Sequence, residues 1–253
     1  MLAKERLLYV LERLNTQPSV SIQKLSDELG VSISTIQRDL KTLENQGKIQ
    51  RERGGAVKKE LGNVLSGLSE MPVVEKEMVN VPQKESVCER AAELIKDGDC
   101  IFIDSGTTPT NLVPFLTYKK IKIVTNSNFL LKKLSKEFKG EVYLLGGQFN
   151  FNYDMSFGPI TLEEVSRFHF DHAFLGVSGI DIDSGEVFTT EFDIGAIKSA
   201  VMKRSNHKYL LMDDSKYYIK GLCTWAEIKD FDSIFVNAFP LKKKKPKNMI
   251  VCE

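Results

Sequence analysis

Apolar residues recur at three- and four-residue steps through roughly the first forty-five positions, then gather into short runs through most of the remainder. Ile22, Leu25 and Leu29 fall on one face of a short helix, and Ile36, Leu40 and Leu43 on one face of a second. Between them Gly30-Val31-Ser32 makes a tight turn, with Ser32 where an N-cap belongs. Helices this short do not stand alone in water, so each lends its apolar stripe to a third partner. That partner is the helix predicted over Lys4–Asn15, with Leu7, Leu11 and Leu14 on one face. Helix, glycine-containing turn, helix is the layout that seats a second helix in a DNA major groove.

Burying Ile36, Leu40 and Leu43 turns Ser34, Thr35, Gln37, Arg38 and Lys41 outward. Glutamine suits adenine and arginine suits guanine, while Ser, Thr and Lys more often hold phosphates. Gly47 is expected to end this helix. The stretch KIQRERGGAVKK then predicts a hairpin around Gly54-Gly55, with Arg51, Arg53, Lys58 and Lys59 forming a basic wing along the phosphate backbone. Residues 1–59 therefore read as a winged helix-turn-helix domain.

Residues 60–84 contain Gly62, Gly67, Pro72 and Pro82 with little periodicity, and read as a linker with a short helix near Glu75–Asn80. From 85 to 253 the pattern alternates. Strands are expected at Cys100–Ile103, Lys122–Val124, Val142–Leu145, Ala173–Val177, Tyr209–Met212, Ser233–Val236 and Met249–Val251. Helices are expected at Val87–Ile95, Thr110–Leu116, Phe129–Phe138, Leu162–Arg167 and Ala196–Arg204. Repeated βα units imply a Rossmann-like, largely parallel sheet, and ligands of such sheets sit beyond the carboxyl ends of the strands.

The residues after the strands carry the candidate chemistry. Asp104-Ser105-Gly106-Thr107-Thr108-Pro109 forms a tight strand-to-helix turn in which Thr108 is expected to cap and Pro109 to open the next helix. Free N–H groups there, with the Thr107 and Thr108 hydroxyls, suit a phosphate, and Asp104 suits sugar hydroxyls. Thr125–Asn128, with Asn126, adds amides and hydroxyls; Gly146-Gly147 permits close approach of backbone; Lys216, after Asp213-Asp214-Ser215, can meet a phosphate or a sugar oxygen.

Composition changes this picture little. The 253 residues are 42% hydrophobic and 27% charged, the make-up of an ordinary globular protein with a real core. Net charge is +1, distributed as +3 over residues 1–60 and −2 over the rest, which permits DNA contact by the first part. Cys88, Cys100, Cys223 and Cys252 are scattered, which argues against a zinc site or a disulfide framework and for a reducing compartment. His169-Phe170-Asp171-His172 leads into a strand without a third ligand nearby, so no metal is expected. The charged start MLAKERLLYV is not a secretory signal, and no run approaches a membrane span, so a cytoplasmic protein is expected. Lys242–Lys245 with Lys247 reads as a solvated loop, and Trp225 and Tyr217-Tyr218 as core or subunit interface.

These motifs carry a resemblance. Ser32–Leu40, Leu43–Ile49 and Arg51–Ala56 resemble the head of the DeoR/GlpR family of bacterial sugar-operon regulators. IFIDSGTT, IVTNSN, YLLGG, FGP, FDHAFLGVSGID and LLMDDSK resemble its sugar-phosphate-sensing domain, related in fold to ribose-5-phosphate isomerase and glucosamine-6-phosphate deaminase. The resemblance covers about residues 1–240. It implies a repressor of carbohydrate metabolism that binds operator double-stranded DNA, takes a phosphorylated sugar as effector, uses no cofactor and forms a dimer or tetramer. The implied effector site is Asp104, Ser105, Gly106, Thr107 and Thr108, with Lys198 as the family's lysine. Gln37 stands where an arginine is common and implies a different base preference. Ile194 stands where a glutamate is usual, four residues before Lys198, and implies a different effector. Lys76, Asn80 and Lys84-Glu85 are the nearest matches to an Arg, Asn and Glu-Lys pattern. The competing reading is a sugar-phosphate isomerase or deaminase carrying a DNA-binding head, which requires an acid–base pair that the spacing does not supply. A DNA-binding architectural protein with a ligand-indifferent body is a third.

Overall fold

The computed structural model describes residues 2–16, 19–45, 48–52, 54–58 and 73–252, in two compact units, 1–63 and 64–253. In the first, helices α1 (Ala3–Thr16), α2 (Ile22–Leu29) and α3 (Ile33–Asn45) pack with strands β1 (Ser19–Ser21), β2 (Ile49–Glu52) and β3 (Gly55–Lys58). Val10, Leu14, Leu25, Ile36, Leu40, Leu43 and Ile49 form the core. Gly30 adopts φ 62° and sends its N–H to the Ser26 carbonyl, a left-handed C-cap that a glycine takes without Cβ strain. The Ser32 hydroxyl accepts from the Thr35 N–H at 3.2 Å, the expected cap. The sheet has three strands in the order β1-β3-β2 rather than two. Strand β1 is only three residues long, too short to leave a periodic signal. Gly47, Arg53 and Lys59 lie outside the described residues, as does the Lys58 side chain.

In the second unit seven parallel strands run in the order β15-β14-β12-β9-β4-β5-β6: β4 (Cys100–Ile103), β5 (Lys122–Thr125), β6 (Glu141–Leu144), β9 (Phe170–Leu175), β12 (Ser205–Met212), β14 (Ser233–Val236) and β15 (Met249–Val251). The two-residue period of each strand feeds a core on either face. Ile101, Ile103 and Ile123 point to a cluster with Val87 and Ala91 of α5 (Val81–Ala92). Phe102, Val124 and Ala173 point to a cluster with Val165 of α8 (Pro159–Ser166) and Ile197 and Val201 of α9 (Phe192–Lys203).

Several elements differ from the sequence expectation. The Phe129–Phe138 helix is cut to α7 (Asn128–Leu131), because Lys132, Lys133, Ser135 and Lys136 interrupt its apolar face and the Ser135 hydroxyl accepts from the Glu137 N–H in a turn. The Thr110–Leu116 helix is split into α6 (Thr107–Thr110) and a 3-10 turn at Val113–Leu116, with Pro114 at its start. Gly106, not Thr108, occupies the N-cap, and Pro109 sits in the third helical position. The helix opens early because Thr110 Oγ1 and Asn111 Nδ2 both donate to the Thr107 carbonyl. Within residues 73–84, Val73–Glu77 form α4 and α5 begins at Val81, and the Val73 and Lys84 side chains are buried. A hairpin of β7 (Gln148–Asn150) and β8 (Met155–Phe157), and an antiparallel sheet of β10 (Gly179–Asp181), β11 (Glu186–Thr189) and β13 (Cys223–Glu227), had no clear sequence signature.

Candidate functional site

Strand order locates the crevice. From β4 the chain moves outward through β5 and β6, then returns to place β9 on the other side of β4. The connections after β4 and β9 therefore diverge, and the gap between them at the carboxyl edge is where a parallel sheet accepts a ligand. A cleft of about 630 Å³, its open mouth included, lies there.

Its floor is a buried ion pair. Lys198 Nζ lies 2.5 Å from Asp104 Oδ2 and donates to the Gly176 carbonyl at 2.7 Å. The Gly176 N–H donates to the same carboxylate oxygen at 2.9 Å. Both side chains are almost fully enclosed, 4% and 2% exposed. Gly176 permits this approach, since a Cβ there would stand 3.2 Å from Asp104 Oδ2 and from Pro109. Lys198 also lies over the Trp225 ring, 5.2 Å from its centroid. Asp104 Oδ2 and Lys198 Nζ thus satisfy each other, and both residues, expected at the effector site, line the cleft.

Around this floor stand Ser105, Gly106, Thr107 and Thr108 from the turn after β4, and Val177 and Ser178 after β9. Thr189 and Thr190 close a third side, and Ile194, one turn before Lys198 on α9, a fourth. The first N–H groups of a helix have no partner within it, so Thr107 and Thr108 leave donors at the cleft. Lys76 of α4, Lys216 and Tyr153 reach it from separate loops and helices. Lys76 lies over the Tyr153 ring at 5.7 Å, and the Tyr153 hydroxyl meets Thr190 Oγ1 at 3.2 Å. Three lysines against one aspartate leave the lining with a formal excess of two positive charges.

Behind Lys216 a polar cluster braces the entrance. Asp213 accepts from the Asn80 amide and the Ser215 N–H, both at 3.0 Å. Burial works to raise its pKa, but the Lys216 charge and these bonds prevail and hold it below the ordinary range. Lys84 donates to the Lys76 carbonyl at 2.6 Å, and burial lowers its pKa to about 8 against the pull of Asp213.

Three expected residues are elsewhere. Asn126 is buried and donates to the Ser156 carbonyl at 2.8 Å. The Gly146 N–H donates to Glu164 and its carbonyl accepts from Thr161, both on α8. Gly147 lies against the Thr161 hydroxyl and the Phe157 carbonyl. These positions follow β5 and β6, away from the switch point, so a shared sheet edge does not bring them to the cleft. Sequence reasoning did not assign Tyr153, Ser178, Thr189 or Thr190, which come from turns and from the small antiparallel sheet. Lys76 had a signal only in its resemblance to a family arginine.

In the first unit α3 leaves Ser34, Gln37, Arg38 and Lys41 exposed and Thr35 partly so. Ser34 and Thr35 hydroxyls both meet that of Ser32 at 2.9 Å, so they belong to the helix cap. Asp39 turns inward to Arg6 of α1, which donates to both of its oxygens at 2.7 and 3.2 Å. Glu28 of α2 accepts from Arg13 and from the Tyr9 hydroxyl, so α1 is tied by charge to both other helices. Arg51 on β2 is exposed and 3.8 Å from Glu44.

Residues 6–60 match the DeoR-like helix-turn-helix domain and residues 79–238 the DeoR C-terminal sensor domain. The chain belongs to the DeoR family. It is a DNA-binding transcriptional regulator rather than an enzyme. This DeoR protein is 34% identical over 241 residues to the uncharacterized HTH-type transcriptional regulator FruR of Bacillus subtilis, covering 94% of this chain and 92% of that one. It is 30% identical to the glycerol-3-phosphate regulon repressor of Escherichia coli, over 91% and 89%. It is 29% identical to the lactose phosphotransferase system repressor of Staphylococcus epidermidis, over 95% and 94%. Ribose 5-phosphate isomerase A of Methanocaldococcus jannaschii aligns over 55% of each chain with a TM-score of 0.40 and 17% identity. Among the described residues no helix is long and apolar enough to cross a membrane, and no group of three or more His, Cys, Asp or Glu is placed to hold a metal ion.

Proposed function

We propose that this DeoR protein represses a carbohydrate operon and that a phosphorylated sugar in the β4/β9 cleft sets its hold on operator DNA. The observation that carries this reading is the cleft lining, where Lys76, Lys198 and Lys216 stand with a single aspartate, Asp104, beside the hydroxyls and N–H groups of Gly106–Thr108. A phosphate monoester bears about −1.5 to −2 at neutral pH, a charge that a lysine-rich lining favours. Thr107, Thr108 and Lys216 hold the phosphate, while Ser105, Ser178, Thr189 and Thr190 offer hydroxyls to the sugar. Asp104 and Lys198 neutralise each other and fix the wall against which the ligand lies. The names of the relatives support the class: one represses a glycerol-3-phosphate regulon and another a lactose phosphotransferase system.

On the DNA side, Gln37 and Arg38 read bases while Ser34, Thr35, Lys41, Arg51 and Arg53 hold phosphates. Operators of helix-turn-helix proteins mirror a two-fold, so the working species is a homodimer or a tetramer, in the cytoplasm.

Thermal unfolding of the full chain against a panel of sugar phosphates and their unphosphorylated parents tests the ligand. Binding to the native state alone raises the midpoint by mass action, by about 2.7 kcal/mol of stability at a hundredfold excess over Kd. A shift confined to a phosphorylated sugar, and lost in Thr107→Ala with Thr108→Ala, is the expected result. No shift across the panel removes the effector from this reading.

A further inference from the structure

The loop between β14 and β15 places lysines at five of six positions, Lys242, Lys243, Lys244, Lys245 and Lys247, and all five are exposed. It is pinned at two points. Lys243 meets both carboxylate oxygens of Asp183 at 2.5 Å and lies over the Tyr218 ring at 5.1 Å. At the loop's exit the Asn248 amide donates to the Ile228 and Phe231 carbonyls, each at 2.8 Å. The Met249 N–H returns to the Pro246 carbonyl at 3.1 Å. One lysine therefore serves as an anchor, and the remaining four are held out from it.

Nearby lysines are compensated: Lys220 faces Asp181 and Lys229 faces Glu227. Lys242, Lys244, Lys245 and Lys247 have no acidic partner among the described residues. They concentrate positive charge on a body whose residues 61–253 sum to −2. Four like charges at this spacing repel one another, a cost that a polyanion removes. Duplex DNA carries one charge per roughly 1.7 Å of axis and is the polyanion this family engages.

We infer that this lysine loop is a second DNA-contacting surface, lying on duplex phosphates and adding affinity without sequence preference. Lysine ammonium groups act there as point charges rather than as bidentate base readers.

The test measures association of the full chain with a random-sequence duplex of about 60 base pairs across a potassium chloride series. Each lysine–phosphate contact contributes about 0.9 to the slope of log K against log salt. A variant with Lys242→Gln, Lys244→Gln, Lys245→Gln and Lys247→Gln is expected to lower that slope by about 2–4. The control removes the same charge elsewhere, with Lys120→Gln, Lys122→Gln, Lys136→Gln and Lys139→Gln, all exposed; its slope is expected to stay within about 0.5 of the parent. Thermal midpoints check that both variants fold, and the pair Lys244→Gln with Lys245→Gln replaces the quadruple variant if it does not. An unchanged slope in the loop variant overturns the inference, as does an equal loss in the control. Sedimentation without DNA separates the remaining alternative. Altered self-association with an unchanged slope would make the loop a protein–protein surface and also overturn the inference.

Discussion

Lys198 and Asp104 form the kind of ion pair whose partners cannot be removed singly. Each is enclosed, and each has its charge met by the other and by the Gly176 backbone. Lys198→Ala leaves a carboxylate in the interior without a counter-ion, a defect of about 3–5 kcal/mol. Urea unfolding is expected to register that loss, and Lys198→Met combined with Asp104→Asn to recover most of it. A surface lysine that served only to bind a ligand would lower affinity and leave the urea midpoint in place. Arg38 is the opposite kind of residue, exposed on α3 with no shape to lose. Arg38→Ala is expected to weaken operator binding by about 1–3 kcal/mol if it reads a guanine, with thermal stability unchanged. Retained affinity in that variant would assign base reading to another face of the helix.

At the level of elements, the amino ends of β9 and β12 bring His172 and His207 into a stack with ring centroids 5.4 Å apart. His172 Nδ1 is buried without a partner among the described residues, and Nε2 lies 3.3 Å from Asp99. Burial pushes the His172 pKa below 6.5, against the pull of Asp99 and with the help of the His207 charge. The unfolded chain therefore takes up this proton at a higher pH than the folded one. Stability from this group is complete above about pH 6.5 and declines as pH falls below it. His172→Gln is expected to flatten the pH dependence of the thermal midpoint just below about pH 6.5; an unchanged slope would place the titration on other groups.

Elements also show what the sequence carried and what it did not. Most of the parallel strands were readable because each carries a short apolar run buried on both faces, as in Cys100–Ile103 and Ser233–Val236, whereas the edge strand Glu141–Leu144 is largely exposed. The first unit was readable because Ile36, Leu40 and Leu43 keep a helical period around the Gly30 turn. Strands β10, β11 and β13 were not, since each is only three to five residues long and β11 finds its second partner, β13, some 34 to 41 residues further along the chain. Thr189 and Thr190 went unassigned for that reason. The turns after β5 and β6 had the right composition for a site, yet composition does not say which strand edges adjoin. That information lies in the strand order.

Across the whole molecule, charge divides as +3 over residues 1–60 and −2 over the rest, with the cleft and the lysine loop as cationic exceptions in the second unit. A regulator with two binding sites obeys reciprocity: whatever factor an effector applies to DNA affinity, DNA applies to effector affinity. Titrating the effector found in the thermal panel into free and operator-bound protein is expected to give Kd values that differ by that factor. Equal values would mean that the cleft does not govern DNA binding.

Trp225 is the sole tryptophan of the chain, and its ring faces the Lys198 ammonium that closes the cleft floor. Indole emission responds to a nearby charge and to the polarity around it. The molecule thus contains one indole, whose emission can be excited apart from the tyrosines, at the back of the proposed ligand site. A displacement of Lys198 from the indole face on ligand binding is expected to change that emission, so effector titrations require no label and no DNA.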